Sequence, residues 1–117
     1  MKLQHIALET RHEHVQAEVG FWGLLGFVEV TPPGTLGSRS VWLTGAGSQI
    51  HLLFAQDPFP PPEGHAAFVA DDYVEAVERL REAGLEVNDR EAHWGALRCF
   101  VRSPAGHRVE LMAAPPA

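Results

Sequence analysis

The sequence is poor in three features that each mark a class of protein. It has one cysteine, Cys99, which excludes an internal disulfide and is interpreted as a buried structural thiol. No apolar run approaches the ~20 residues that span a bilayer, and the first residues, MKLQHIALET, contain no long hydrophobic segment followed by a cleavage site. There is no basic excess either, because the net charge is −6. These absences argue against nucleic acid and membranes as partners, and they predict a cytoplasmic protein that binds a small molecule or another protein.

Length and composition set the expected number of domains. The chain has 117 residues, of which 45% are hydrophobic. That is enough for one compact core but not for two independent ones. We therefore expect a single domain over residues 1–117.

The two halves of the chain show the same order of predicted elements. Alternating polar and apolar residues indicate strands, and apolar residues at helical spacing indicate helices. The first half is predicted to contain a strand, a helix and three strands at 3–9, 13–27, 27–30, 40–45 and 48–54. After the proline-rich connector AQDPFPPPEG at 55–64, the order repeats at 65–70, 71–84, 85–87, 97–103 and 107–113. Asp72 followed by Glu75 resembles a capping box at the start of the second helix.

Equivalent residues recur at a nearly constant spacing, which indicates an internal duplication. The pairs His5 and His65, His51 and Glu110, Gly47 and Gly106, and Gly26 and Gly84 are separated by 60, 59, 59 and 58 positions. The sequence therefore predicts an α+β fold of two tandem βαβββ modules, module one at about 1–56 and module two at about 57–117. Their strands are expected to form a curved mixed sheet around a concave cleft.

Four polar residues share the strand face that is turned away from the helices. Side chains alternate along a strand, so each of the four lies opposite the apolar residues that pack on a helix. They are His5, His51, His65 and Glu110. A pseudo-twofold axis relating the halves would bring them together in the cleft, where a divalent cation satisfies buried polar groups. Imidazole and carboxylate ligands suit Zn, Ni, Mn, Fe or Co, and four protein ligands leave positions open for substrate on an octahedral ion, as in a catalytic site.

Other polar and aromatic residues carry less specific signals. Arg98 and Arg102 are in phase with Phe100 on a strand that borders the cleft. They either bind a carboxylate or phosphate group of a substrate, together with Phe100, or form a solvated strand edge. Trp42, on the opposite face from Val41 and Leu43, is assigned to the core. The remaining histidines, in loop or helix-start positions, are interpreted as solvated: His12, His14, His93 and His107.

Five segments of the sequence resemble the vicinal oxygen chelate superfamily, which includes glyoxalase I, methylmalonyl-CoA epimerase, extradiol dioxygenases and bleomycin-resistance proteins. They are HIAL, FWGLLGF, IHLL, GHAAFVADDYVEAVERLREAGLEV and SPAGHRVELM, which together cover nearly the whole chain. The resemblance implies metal ligands at His5, His65 and Glu110. The fourth ligand position, glutamate in bacterial glyoxalase I and glutamine in the epimerase, is His51 here. Relatives of this length usually dimerise, which implies a homodimer.

The resemblance also implies a reaction class. A glyoxalase-like lyase or isomerase binds two adjacent substrate oxygens on its divalent metal ion, and Glu110 is the residue placed to act as the base. Fosfomycin-type thiol transferases fit less well, because they carry a tyrosine where Phe100 stands and a threonine where Ala7 stands. Two alternatives stay open. One is a non-catalytic antibiotic-binding protein of the bleomycin-resistance type, with which the acidic charge is compatible, and the other is a small ring-cleaving dioxygenase with the same His, His, Glu triad.

Overall fold

The chain folds into two compact units of the same architecture. The computed structural model describes all 117 residues, and none of its helices is long and apolar enough to cross a membrane. The units are Met1–Pro60 and Pro61–Ala117. Each contains one four-stranded sheet and one α-helix of 10 residues. The predicted α+β class with two tandem βαβββ modules is confirmed.

The first unit is built on a mixed sheet. Its strands are β1 His5–Thr10, β2 Val28–Val30, β3 Ser40–Gly45 and β4 Ser48–Phe54, and its helix is α1 Val15–Leu24. The strand order is β1-β4-β3-β2, with β1 parallel to β4 and the other neighbours antiparallel. Because β4 lies between β1 and β3, side chains on one face of β4 have neighbours on both sides.

Helix α1 is anchored by an aromatic cluster. Trp22 is completely buried, and its ring meets the rings of Phe21 and Phe27 edge-on, with centroids 5.1 and 5.8 Å apart. Gly26 follows the helix with φ +91°, a left-handed conformation that favours glycine at a helix end. This turn sends the chain from α1 directly into β2.

The second unit repeats the topology of the first. Its strands are β5 Ala66–Val69, β6 Val87–Arg90, β7 Arg98–Arg102 and β8 Arg108–Met112, and its helix is α2 Tyr73–Glu82. The strand order is β5-β8-β7-β6, with β5 parallel to β8. The predicted strand at 85–87 lies two residues later, at Val87–Arg90, because Leu85 still caps helix α2 through its backbone N–H, which donates to the carbonyl of Leu80.

Helix α2 begins and ends where the sequence indicates. The Asp72 carboxylate accepts a hydrogen bond from the backbone N–H of Glu75 at 3.1 Å, which confirms the predicted cap. Val77 and Leu80 are its buried apolar residues. Gly84 takes φ +84° just past the end, in the same role as Gly26 of the first unit. The duplication therefore extends to the helix ends.

Cys99 and Tyr73 form a buried polar contact in the second unit. The Cys99 thiol is completely buried, which confirms its interpretation as a structural residue. Burial raises the pKa of Cys99, and the hydrogen bond from the Tyr73 hydroxyl opposes this rise. Burial, followed by the same hydrogen bond, raises the pKa of Tyr73. The folded protein therefore holds both protons more tightly than the unfolded chain does.

We expect this contact to make the protein sensitive to alkaline pH. In the unfolded chain Cys99 and Tyr73 lose their protons near pH values of about 8.5 and 10, whereas the folded chain retains them. Their stabilising contribution is complete below about pH 8 and is lost as the pH rises, by up to about 1.4 kcal/mol per pH unit for a group such as Cys99. Urea unfolding between pH 7 and 11 measures the slope. Tyr73→Phe should flatten it above pH 10, and a wild-type stability that is constant to pH 11 would contradict the expectation.

Candidate metal centre

The first unit brings His5 and His51 together. Ala7 of β1 pairs with His51 of β4, so His5, two residues earlier, lies on the same face. The two imidazole rings stack with their centroids 3.9 Å apart and their planes 16° from parallel. From the adjacent strand β3, Trp42 pairs with His51 and stacks on it at 3.8 Å and 5°. His51 is therefore the middle ring of three.

Hydrogen bonds leave one nitrogen of each imidazole ring with a lone pair. His51 Nε2 lies 2.8 Å from Oε1 of Gln49, and His5 Nδ1 lies 2.6 Å from Oε1 of Gln4. An amide oxygen only accepts, so these two ring nitrogens carry the protons. Burial, followed by the nearby charge of His5, lowers the pKa of His51 and favours its neutral ring. The neutral imidazole is the form that binds metals.

The second unit brings His65 and Glu110 together. The carbonyl of Glu63 lies 2.8 Å from His65 Nδ1, so this nitrogen donates its proton. His65 Nε2 then faces Glu110 Oε1 at 3.1 Å. In a neutral ring that nitrogen carries only a lone pair, so two electron-rich atoms face each other. A cation between them, either a proton or a metal ion, removes the repulsion.

Arg98 holds the other oxygen of Glu110. Its Nη1 donates to Glu110 Oε2 at 3.0 Å, and its Nε donates to the carbonyl of Glu91 at 2.9 Å. Only 12% of the Arg98 side chain and 9% of the Glu110 side chain are exposed. The pair is therefore largely shielded from solvent. Glu110 keeps a single oxygen, Oε1, for His65 or for a ligand.

The four predicted metal ligands thus form two pairs, one in each unit. Neither unit alone gathers three or more histidine, cysteine, aspartate or glutamate side chains in an arrangement that could hold a metal ion. The pair of His65 and Glu110 fits a metal, because an imidazole nitrogen and a carboxylate oxygen 3.1 Å apart are both ligand atoms for divalent ions. The donor types of all four residues also suit a borderline divalent ion.

The stacked pair of His5 and His51 is less well arranged to bind a metal ion. An imidazole binds a metal through a lone pair in its ring plane. Two nearly parallel rings 3.9 Å apart direct their lone pairs along separate planes, so His5 and His51 cannot bind one ion together in this arrangement. The two can bind one ion together only after one of the rings turns out of their stack.

The predicted substrate-binding residues lie on strand β7 beside Glu110. Phe100 pairs with Glu110 across the sheet, and the edge of the His65 ring meets the Phe100 ring at a centroid distance of 4.8 Å. The Arg98 guanidinium donates a hydrogen bond to Glu110 and therefore contacts a candidate metal ligand. Arg102 donates to the carbonyls of Gly106 and Pro62 at 2.9 and 3.0 Å. A substrate role for these three residues stays a prediction.

Two sequence-based interpretations are wrong. Trp42 is not in the core: it is half-buried and lies on the face of His51, because that face of the sheet carries the ring stack. His107 is not solvated: it is 4% exposed, and its backbone N–H donates to the Ser103 hydroxyl at 3.0 Å. The alternation in β3 could have placed Trp42 with Thr44, but only the pairing with β4 brings it onto His51.

Comparisons with known proteins agree with this architecture. A family model described as a glyoxalase-like domain matches residues 5–112. An Arabidopsis thaliana protein named Glyoxylase I 4 is 26% identical over 121 residues, which cover 93% of this chain and 68% of that protein. The structure of a Bacillus anthracis protein described as a glyoxalase family member has a TM-score of 0.85 at 25% identity and covers 96% of this chain and 93% of that one. Lactoylglutathione lyase from Agrobacterium tumefaciens has a TM-score of 0.70 at 22% identity, with 95% and 92% covered, and this likeness shows the fold alone.

The chain belongs to the glyoxalase-like domain family, within the vicinal oxygen chelate superfamily. The family match extends over both units, from the first residue of β1 to the last residue of β8. The superfamily typically uses divalent metals and acts on small molecules. Both properties are compatible with the donor atoms that the two pairs present.

Proposed function

We propose that this protein is a divalent-metal-dependent enzyme of glyoxalase type that catalyses proton transfer on a substrate with two adjacent oxygens. The observation that carries the proposal is the contact between His65 Nε2 and Glu110 Oε1, an imidazole nitrogen and a carboxylate oxygen 3.1 Å apart. The Glu63 carbonyl fixes His65 in this orientation by accepting from its Nδ1. Metal-binding histidines typically donate their other ring N–H to a carbonyl or carboxylate in this way. His65 and Glu110 are the proposed ligands, and the membership of His5 and His51 in the same site stays a prediction from the sequence.

The bound metal ion supplies Lewis-acid polarisation of the substrate oxygens, which lowers the pKa of the neighbouring C–H group. Glu110 provides the base. Arg98 fixes its Oε2, so Oε1 is the oxygen that would leave the ion, accept the proton from carbon and return it. The limited exposure of Glu110 and Arg98 keeps bulk water from competing for this proton.

Metal binding by purified protein tests the first part of the proposal. After chelator treatment and desalting, we expect Ni, Mn, Zn, Co or Fe(II) at 100 times its dissociation constant to stabilise the fold by about 2.7 kcal/mol, or about 10 °C in Tm. His65→Ala and His5→Ala should each abolish most of this shift. His93→Ala, which changes an exposed loop histidine, is the matched control and should retain it. No shift with any of these ions would contradict the proposal and favour a metal-free binding protein.

Tryptophan fluorescence reports the movement of His51. His51 stacks on Trp42, so metal binding that turns the His51 ring out of this stack should change the emission of Trp42. The contribution of Trp42 to this change should be absent in Trp42→Phe, whereas the completely buried Trp22 should contribute none of it. A full thermal shift without any fluorescence change would show that the metal is bound without movement of His51.

Turnover assays test the reaction class. The metal-loaded protein should act on a methylglyoxal hemithioacetal or an epimerisable acyl thioester, and Glu110→Gln should lower the rate at least ~100-fold, as expected for a general base. Cleavage of a catechol would instead support the ring-cleaving alternative. The homodimer and the cytoplasmic location remain predictions.

A further inference from the structure

A second group of charged residues covers the same face of the second sheet, beyond Glu110. Strand register places Asn88 opposite Phe100 and Arg102 opposite Arg108. Arg90, two residues along β6 from Asn88, shares their face. These residues line a cleft of about 460 Å³. We infer that this cleft, between Arg90, Arg102 and Arg108, binds the carboxylate or phosphate group of a small molecule.

The charge of the cleft is opposite to that of the whole chain. The protein has 9 lysines and arginines against 15 acidic residues, yet Arg90, Arg102 and Arg108 line one cleft. None of these three arginines has a carboxylate within ion-pair distance, whereas four of the others do. Asp89 also lines the cleft, but its carboxylate faces Arg81 at 3.5 Å. Three like charges without counter-ions repel one another, and a bound anion removes that cost.

The guanidinium groups are held in place before any ligand arrives. Arg108 Cζ lies over the Phe100 ring, 3.9 Å from its centroid, and Arg90 Cζ lies 5.3 Å from the same centroid. Arg102 is fixed by carbonyls, and Arg108 donates to the Glu63 carbonyl at 3.1 Å. Backbone carbonyls and an aromatic ring position the arginines without neutralising them. Several N–H groups of each guanidinium stay available for an anion, and preorganisation lowers the cost of binding it.

The position of the cleft connects it to the proposed reaction, on which this part of the inference rests. Arg108 and Glu110 are two residues apart on β8, so their Cα atoms are separated by about 7 Å along one face. The Phe100 ring, over which the Arg108 guanidinium lies, also contacts the His65 ring. An anion held by the arginines therefore places the adjacent atoms of the same molecule beside Glu110. The substrate class is a small oxygenated molecule whose carboxylate or phosphate lies a few bonds from its reacting carbon.

Anion binding can be measured on the metal-free full chain. Isothermal titration with inorganic phosphate and, separately, with succinate should show saturable binding that weakens with salt. Arg90→Met and Arg108→Met should each weaken it ~10-fold, the loss expected for one charge-assisted contact. Arg39→Met is the matched control, because Arg39 is exposed and lies in the first unit. Phosphate binding alone would identify a phosphorylated substrate, and succinate binding alone a carboxylate.

Two results would overturn the inference. One is the absence of saturable binding of either anion, and the other is an equal loss of affinity in Arg39→Met, which would indicate non-specific attraction. The Arg90 side chain makes no hydrogen bond in the fold, so Arg90→Met gives a result even where Arg108→Met fails to fold. Metal titration of the wild-type chain, beside the two anion titrations, separates the two hypotheses. Anion binding without metal binding would contradict the proposed function and support the anion-binding cleft. Metal binding without anion binding would support the proposed function and contradict the anion-binding cleft.

Discussion

Replacing Glu110 by alanine should destabilise the metal-free protein by about 3–5 kcal/mol, the cost of leaving one member of a buried ion pair without its partner. Arg98 is the residue left behind, with 12% of its side chain exposed. Its remaining contacts are the carbonyl of Glu91 and the faces of Trp94 and Phe100. None of these neutralises the guanidinium, so its desolvation destabilises the folded state. Urea denaturation after metal removal measures the loss.

A double variant separates the effect of losing the ion pair from the effect of losing packing volume. Arg98→Met combined with Glu110→Leu removes both charges and keeps most of the volume, so we expect this variant to be within about 1–2 kcal/mol of wild type. Glu110→Gln should lie between wild type and the alanine variant, because the amide oxygen still accepts from Arg98. If Glu110→Ala costs less than 1 kcal/mol, the pair does not contribute to the fold as described.

Replacing Trp22 by alanine is expected to have an effect of similar size, about 3–5 kcal/mol, because it opens a large cavity in the first unit. Trp22 is 0% exposed and contacts Phe21 and Phe27. For a domain of this length the whole free energy of unfolding is about 5–15 kcal/mol, so the variant should be partly unfolded at 37 °C. Thermal denaturation followed by circular dichroism checks the shift.

An exposed aromatic residue provides the control for this substitution. Phe59 is 81% exposed, so Phe59→Ala should change stability by no more than about 0.5 kcal/mol. Trp22→Phe retains most of the aromatic packing and should cost less than the alanine variant. Equal stabilities for the three variants would show that α1 is not held by this cluster.

The elements of the fold were predictable because they depend on local patterns. Period-two alternation placed the strands, with β3 and β4 matching at 40–45 and 48–54. Asp72 caps α2 through a contact three residues away, and Gly26 and Gly84 end the helices through their own backbone angles. Such signals need no knowledge of distant residues. The repeat added topology, since two similar halves predict two similar sheets.

Half of the candidate site was also accessible from the sequence. Alternation fixed the faces of His5, His51 and Glu110, and the structure places His65 within 3.1 Å of Glu110. The role of Arg98 was not accessible. The sequence left it either on a substrate or on a solvated strand edge, and the structure pairs it with Glu110. Periodicity specifies the face of a strand on which a residue lies, but not which residue of a neighbouring strand it meets.

The sequence alone determined the two-module α+β plan, the helix ends, and the strand faces on which His5, His51 and Glu110 lie. Only the tertiary structure decided which of them touch: Trp42 on His51, Arg98 on Glu110, and the arginines around Phe100. The reason is that strand register depends on hydrogen bonding between segments far apart in the chain, and a shift of one residue would turn every side chain to the other face. Local propensities carry no information about that pairing.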